Sequence, residues 1–255
     1  MSLISLDDIQ TVLKLKKLGF LGKGISWTLM RAIGLNKINA EYDKTKHLPT
    51  QEFLSSVLND FGISYQIHEE DLKRIPEKGP FVIVANHPLG GLDGIILMKI
   101  ISEIRPDFKM MGNFLLQKID PLKDIIIPVN PFETRKENFD SKKGIISALQ
   151  HLKQGNCLGI FPAGEVSHYD SKTKEYQDRE WTEGGLKVIK KAKVPVIPLY
   201  FHARNSRIFY KMFDIHPDLQ TAMLPLEMVR KRKNPIKIRI GKPISIKQQE
   251  DYTDI

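Results

Sequence analysis

A chain of 255 residues that is 41% hydrophobic and 27% charged has the make-up of a folded, enzyme-sized domain and excludes a disordered or fibrous polypeptide. The formal charge of +9 points to anionic partners, whether lipid headgroups, a phosphate-bearing carrier or nucleic acid. The lone Cys157 excludes an intrachain disulfide framework and a cysteine-rich zinc site, and fits a reducing compartment.

No stretch of the sequence reaches the ~18 to 20 uninterrupted apolar residues that crossing a bilayer requires. The first ten residues include Asp7 and Asp8 and lack the basic-then-apolar pattern of a secretory signal. The expected location is the cytoplasm, peripheral to the inner face of the cell membrane.

Residues 6–61 lack strand patterning, and Leu21, Ile25, Leu29 and Ile33 recur at helical spacing, widened by Phe20, Trp27 and Met30. Between Lys14 and Ala40 there are six basic residues and no acidic one. Such a segment can lie in a lipid interface or pack as an ordinary amphipathic helix on the main domain. The expected organisation is a helical appendage over residues 1–61 and an α/β domain over 62–255.

From about residue 63 the pattern becomes β-branched runs separated by helical stretches. Strands are predicted at Phe81–Ala85, Phe108–Met111, Ile125–Val129, Cys157–Phe161, Val194–Phe201 and Ile236–Ile240. Helices are predicted at Gly94–Glu103, Asp140–Gln154 and Thr182–Ala192. Continuous apolar strands alternating with amphipathic helices imply an α/β fold with a largely parallel sheet flanked by helices. Sites in such folds gather at the carboxyl ends of strands.

Asn86-His-Pro-Leu-Gly-Gly-Leu-Asp93 follows the first buried strand directly. On a regular helix His87 and Asp93 would point about 240° apart, so their contact needs the irregular connection that Pro88, Gly90 and Gly91 can supply. An aspartate holding one imidazole nitrogen frees the other to take a proton from a substrate hydroxyl. This is a hydrolase triad without its nucleophile, a part left to the acceptor substrate. The plainer reading is a helix-capping Asp93 and a turn histidine, and the two roles of the carboxylate are compatible.

A second strand end carries Phe161-Pro-Ala-Gly-Glu-Val-Ser167. Here Gly164 permits a tight turn, and Glu165 can cap a helix or pair with a base. Ser167 next to His168 does not form a nucleophilic pair, because adjacent side chains seldom do and the Gly-x-Ser-x-Gly elbow is absent. After the strand at Val194–Phe201, Arg204 can hold a carboxylate or phosphate through its planar fork. The basic run Met228–Pro235 stands without a zinc finger or RNA-binding signature, so nucleic acid is not expected as a partner. The polar stretch Tyr169–Trp181 reads as a loop near the second strand end. No metal-ligand spacing is present.

The first of these motifs resembles the first motif of the glycerolipid (lysophospholipid) acyltransferase family, whose histidine and downstream aspartate form the catalytic pair. The family usually has four residues between them; five stand here. Phe161 to Ser167 is similar to the third family motif, Phe-Pro-Glu-Gly-Thr-Arg-Ser, with Ala163 and Val166 in place of its glutamate and arginine. Val194 to Tyr200 resembles the fourth motif. Gly112 and Phe114 match part of the second, whose arginine has no counterpart nearby. The chain is similar in particular to a bacterial hemolysin-like branch that includes acyltransferases of ornithine- and glycine-lipid synthesis.

The resemblance implies acyl transfer from an acyl carrier protein or coenzyme A thioester to the hydroxyl of a lyso-lipid at a membrane surface. A lyso-amino-acid lipid is the favoured acceptor, lysophosphatidic acid the next, and no bound cofactor is implied. His87 would be the base and Asp93 its orienter. Asn86, Gly90, Gly91, Phe161, Pro162, Gly164, Glu165, Ser167 and Arg204 would contribute to substrate binding. The competing readings are a thioesterase or lipid hydrolase in which His87 activates water, and a noncatalytic lipid-binding protein.

Overall fold

The computed structural model describes residues 3, 5–7, 10, 15–130, 141–215 and 217–251. After a 3-10 turn at Leu15–Leu18, the described chain forms α1 (Gly19–Ala32), α2 (Leu35–Thr45) and α3 (Thr50–Asp60), followed by β1 (Tyr65–Ile67), α4 (Glu69–Leu72), β2 (Phe81–Ala85), α5 (Gly91–Ile104), β3 (Lys109–Asn113) and β4 (Ile126–Val129). Then come α6 (Ser141–Lys153), β5 (Cys157–Ile160), a hairpin of β6 (His168–Asp170) and β7 (Glu175–Gln177), α7 (Glu183–Ala192) and β8 (Val196–His202). The described chain closes with α8 (Arg207–Ile215), α9 (Pro217–Ala222), α10 (Leu224–Arg230), β9 (Ile236–Ile240) and α11 (Ile246–Asp251).

Among the described residues, seven strands form one sheet in the order β1-β9-β8-β2-β5-β3-β4, and its single antiparallel strand pairing is β8 with β9. The expected α/β class with a largely parallel, helix-flanked sheet is therefore the observed one. β2 lies at the centre with all five residues buried. Its alternation assigns Phe81, Ile83 and Ala85 to a core shared with α3 and α5, and Val82 and Val84 to a second core under α6 and α7. The helical start joins the first of these cores through Tyr42, Phe53, Leu54, Val57 and Leu58.

Two expectations are corrected. The helix after His87 begins at Gly91 rather than Gly94, so Asp93 sits inside its first turn and the preceding residue is Gly90. The polar stretch Tyr169–Trp181 contains most of a hairpin, in which His168 pairs with Gln177 and Asp170 with Glu175. Within the largely parallel sheet, β9 runs antiparallel to β8 and parallel to β1.

α1 differs from α3 and α5 in what it does with its apolar side chains. Phe20 is 88% exposed, Leu21 72% and Trp27 52%, while Met30 is buried. The apolar stripe read from the sequence is thus mostly on the outside. None of the described helices is long and apolar enough to cross a membrane.

Candidate active site

The register of the central strands brings the two strand-end motifs together. Val84 of β2 is level with Ile160 of β5, so the chain leaves both strands at the same height. The rings of His87 and Phe161 consequently stack, with centroids 4.1 Å apart and planes inclined by 22°. The Ser167 N–H donates to the His87 carbonyl at 3.0 Å, fastening the second loop to the first.

Between His87 and α5 the chain reverses at Gly90, whose φ of 73° and ψ of −135° lie in a region that only glycine enters without strain. A Cβ there would stand 2.8 Å from the end of the Leu224 side chain, which would have to shift, so the conformation is the main reason for glycine. The reversal puts Asp93, fully buried, against His87: Nδ1 and Oδ2 are 3.2 Å apart. The same Oδ2 accepts the Leu89 N–H at 2.7 Å, and the Asp93 N–H donates to the Gly90 carbonyl at 3.0 Å.

The pair is close without being aligned as a hydrogen bond, since His87 Nδ1 and Asp93 Oδ1 each lack a partner. Catalytic hydrogen bonds of this kind commonly tighten only around bound substrate. Burial raises the Asp93 carboxyl above its ordinary value, against the opposing pull of His87 and of the Leu89 N–H. A buried carboxylate so placed gains from a cationic imidazole beside it.

Asp178, which follows β7, accepts the His87 backbone N–H with both carboxylate oxygens at 3.1 Å and also accepts the Ser167 hydroxyl proton. It therefore ties both motif loops to the hairpin. No motif marks this residue, and the charged neighbours of both signs around it in the sequence hide its role.

His87, Gly90, Gly91, Phe161, Gly164 and Glu165 all line one cavity of about 1010 Å³. From the His87 loop the wall continues over apolar side chains including Tyr42, Phe53, Val57, Ile95, Met98 and Leu122. The helical start is thus part of the container. Glu165 meets Arg179, with Oε2 and Nε 3.1 Å apart.

The remaining expected site residues are placed otherwise. The Asn86 side chain pairs with the Phe201 backbone, donating to its carbonyl at 3.1 Å and accepting its N–H at 2.7 Å, so it extends the β2–β8 ladder by one rung. Pro162 accepts the Thr182 N–H through its carbonyl at 2.8 Å. Ser167 is buried, with its hydroxyl committed to Asp178. Arg204 lies over the Tyr176 ring, 5.3 Å from its centroid. Asn205, also unforeseen, donates its side-chain amide to the Pro88 carbonyl at 3.1 Å and braces the His87 loop from the β8 side.

Comparison with known proteins gives the chain a family. The model of the acyltransferase family matches residues 15–252. The chain is 29% identical over 251 residues to the lyso-glycine lipid O-acyltransferase of Phocaeicola vulgatus, covering 94% of this chain and 87% of that one. It is 27% identical over 249 residues to the lyso-glycine lipid O-acyltransferase of Bacteroides thetaiotaomicron, covering 95% and 88%. Among solved structures, it is similar to the crystal structure of the 1-acyl-sn-glycerophosphate acyltransferase PlsC from Thermotoga maritima, with a TM-score of 0.44 and 16% identity over 77% of this chain and 72% of that one. A family match that runs from the helical start through β9 identifies the chain as a member of the acyltransferase family and as an acyltransferase enzyme.

Proposed function

We propose that this acyltransferase moves a fatty acyl group from an acyl carrier protein or coenzyme A thioester to the hydroxyl of a lyso-amino-acid lipid, with lyso-glycine lipid the first acceptor. The 3.2 Å contact of His87 with a fully buried Asp93, on the wall of a large and mostly apolar cavity, is the observation that carries this reading. The names of the two curated relatives support the acceptor.

His87 Nδ1 faces Asp93, which leaves Nε2 as the base. Nε2 takes the acceptor's hydroxyl proton as that oxygen attacks the thioester carbonyl. The C–O bond forms, the C–S bond breaks, and the imidazolium returns its proton to the departing thiolate. Asp93 stabilises the imidazolium in between, and no acyl-enzyme forms. Charge on the carbonyl oxygen calls for backbone donors. The Gly164 N–H is already committed to the Phe161 carbonyl at 3.0 Å, so the amides at Gly90 and Gly91, where α5 begins, are the favoured donors.

The same proposal gives the enzyme a peripheral place at the inner face of the cell membrane. Exposed Phe20, Leu21 and Trp27 on α1, flanked by Lys16, Lys17 and Lys23, suit an interface with anionic lipid. Replacing Phe20 and Leu21 by serine is expected to weaken sedimentation with anionic liposomes, and unchanged binding would remove α1 from the contact.

Incubation of the purified chain with acyl-coenzyme A or acyl carrier protein thioester and a panel of lyso-lipids tests the activity. Acceptor-dependent ester formation, strongest with lyso-glycine lipid, is expected. Thioester cleavage that ignores the acceptor would make the protein a thioesterase instead.

A further inference from the structure

Arg179 belongs to no motif, yet it reaches the cavity that contains His87. Two short paths fix it there. The preceding residue, Asp178, grips the His87 N–H at 3.1 Å. Its ion-pair partner Glu165 lies two residues before Ser167, whose N–H holds the His87 carbonyl at 3.0 Å. The guanidinium also lies over the Phe213 ring, 4.4 Å from the centroid, and its Nε is buried without a hydrogen-bond partner. A stacked and partly desolvated guanidinium keeps a fixed orientation, which suits two-pronged recognition of a planar carboxylate.

Charge narrows the ligand further. The cavity wall carries Lys142, Arg179 and Lys187 against Glu41, Glu165 and Glu183, so acidic and basic side chains balance. Lys187 is tied to Glu183 at 2.9 Å. With Glu165 3.1 Å from Arg179, a singly charged group can share the guanidinium. A phosphate monoester, with a charge of about −1.5 to −2 at neutral pH, would meet stronger repulsion from the Glu165 carboxylate.

We infer that Arg179 binds the carboxylate of the acceptor's headgroup, and that Glu165 beside it limits this subsite to singly charged headgroups. The inference rests on the acyl-transfer reading for its choice of ligand. An amino acid joined to a fatty chain through its nitrogen presents that carboxylate. The subsite supplies acceptor selection, a role separate from proton transfer at His87.

Direct binding separates the two. N-dodecanoylglycine has the carboxylate and lacks the accepting hydroxyl; its methyl ester has neither. Calorimetric titration of the intact protein is expected to give tighter binding of the acid than of the ester by roughly 10- to 100-fold, the range of a charge-assisted hydrogen-bond pair. Arg179→Gln should reduce the acid to the affinity of the ester and leave the ester unchanged, and Arg179→Lys should restore part of the difference. Equal weakening of both probes would mean a structural role and overturn the assignment, as would no weakening of either. Glu165→Gln should raise the affinity for lysophosphatidic acid relative to the acylglycine; an unchanged ratio would overturn the charge limit. Because the probes cannot be acylated, loss of this pattern leaves the transfer reading intact. Absence of acyl transfer by the wild-type chain would instead overturn that reading alone.

Discussion

The two ends of the parallel strands treat buried charge in opposite ways. Where β2, β3 and β5 begin, Arg105 engages every nitrogen of its guanidinium: Nε and Nη2 donate to Asp107 at 2.8 and 2.6 Å, and Nη1 to the Pro76 and Gly79 carbonyls at 3.0 and 2.9 Å. Asp107 in turn accepts the Cys157 N–H at 3.2 Å, linking the starts of three strands. Where the same strands end, His87 Nδ1, Asp93 Oδ1 and Asn205 Oδ1 are buried without hydrogen-bond partners.

Leaving polar atoms unpaired costs stability, and a native fold retains such a cost mainly where chemistry requires it. One end thus has its buried charge fully paired, and the other, where the proposed site lies, leaves polar atoms unpaired. The aspartates express the contrast. Burial raises Asp93 above its ordinary value despite His87. Burial also works to raise Asp107, but the Arg105 fork reverses this and holds its carboxyl below the ordinary value.

The largest effect should come from Asp93→Asn, which keeps an acceptor for the Leu89 N–H and removes the charge facing His87. A fall of about 10³-fold in kcat is expected. The change should not destabilise the protein at neutral pH. A carboxyl raised on folding binds more protons in the native state, so wild-type stability declines as pH climbs from the unfolded value through the folded one, and the amide is free of that decline. Thermal unfolding of both proteins across pH, beside their kcat values, checks the pair of outcomes. A variant that loses stability and activity together would erase the distinction between the two ends.

Asp107→Ala should do the reverse, costing about 3 kcal/mol by leaving Arg105 buried without its partner while sparing kcat of the folded enzyme. The contribution of Asp107 is present at neutral pH and disappears as pH falls through its depressed folded value, so wild type and variant should converge in acid. Denaturant titration at two pH values would reveal it. Asp178→Ala should be milder for stability and should lower kcat roughly tenfold, in line with a positioning hydrogen bond to a charged acceptor, with little change in KM for the thioester. Smallest of all, Cys157 should resist alkylation by iodoacetamide until the protein unfolds. It is fully buried and its thiol is pushed up to about 12 by that burial.

The parts of this site that could be read in the sequence share one form, a buried strand followed at once by an irregular glycine- or proline-containing turn. That form located His87, Asp93, Phe161 and Gly164, because five consecutive apolar residues such as Phe81–Ala85, closed off by a polar turn, are too few for a helix and fit a strand covered on both faces. It could not distinguish a side chain that faces the cavity from one that faces the sheet. Asn86 belongs to the motif and completes a strand ladder.

Asp178 and Arg179 were invisible for a different reason. They follow strands of three residues each, too short for a period to emerge, and their partners lie far away in the chain. The start of α5 was displaced by three residues because neither Gly90 nor Gly91 has a propensity that announces a helix.

The central claim is that His87 is the proton acceptor for acyl transfer, and kcat for acceptor-dependent ester formation by His87→Ala tests it most directly, with thermal unfolding as a control for the fold. A loss of about 10³-fold or more, with the melting transition preserved, is the predicted result. Transfer at the wild-type rate in a folded His87→Ala protein would contradict it.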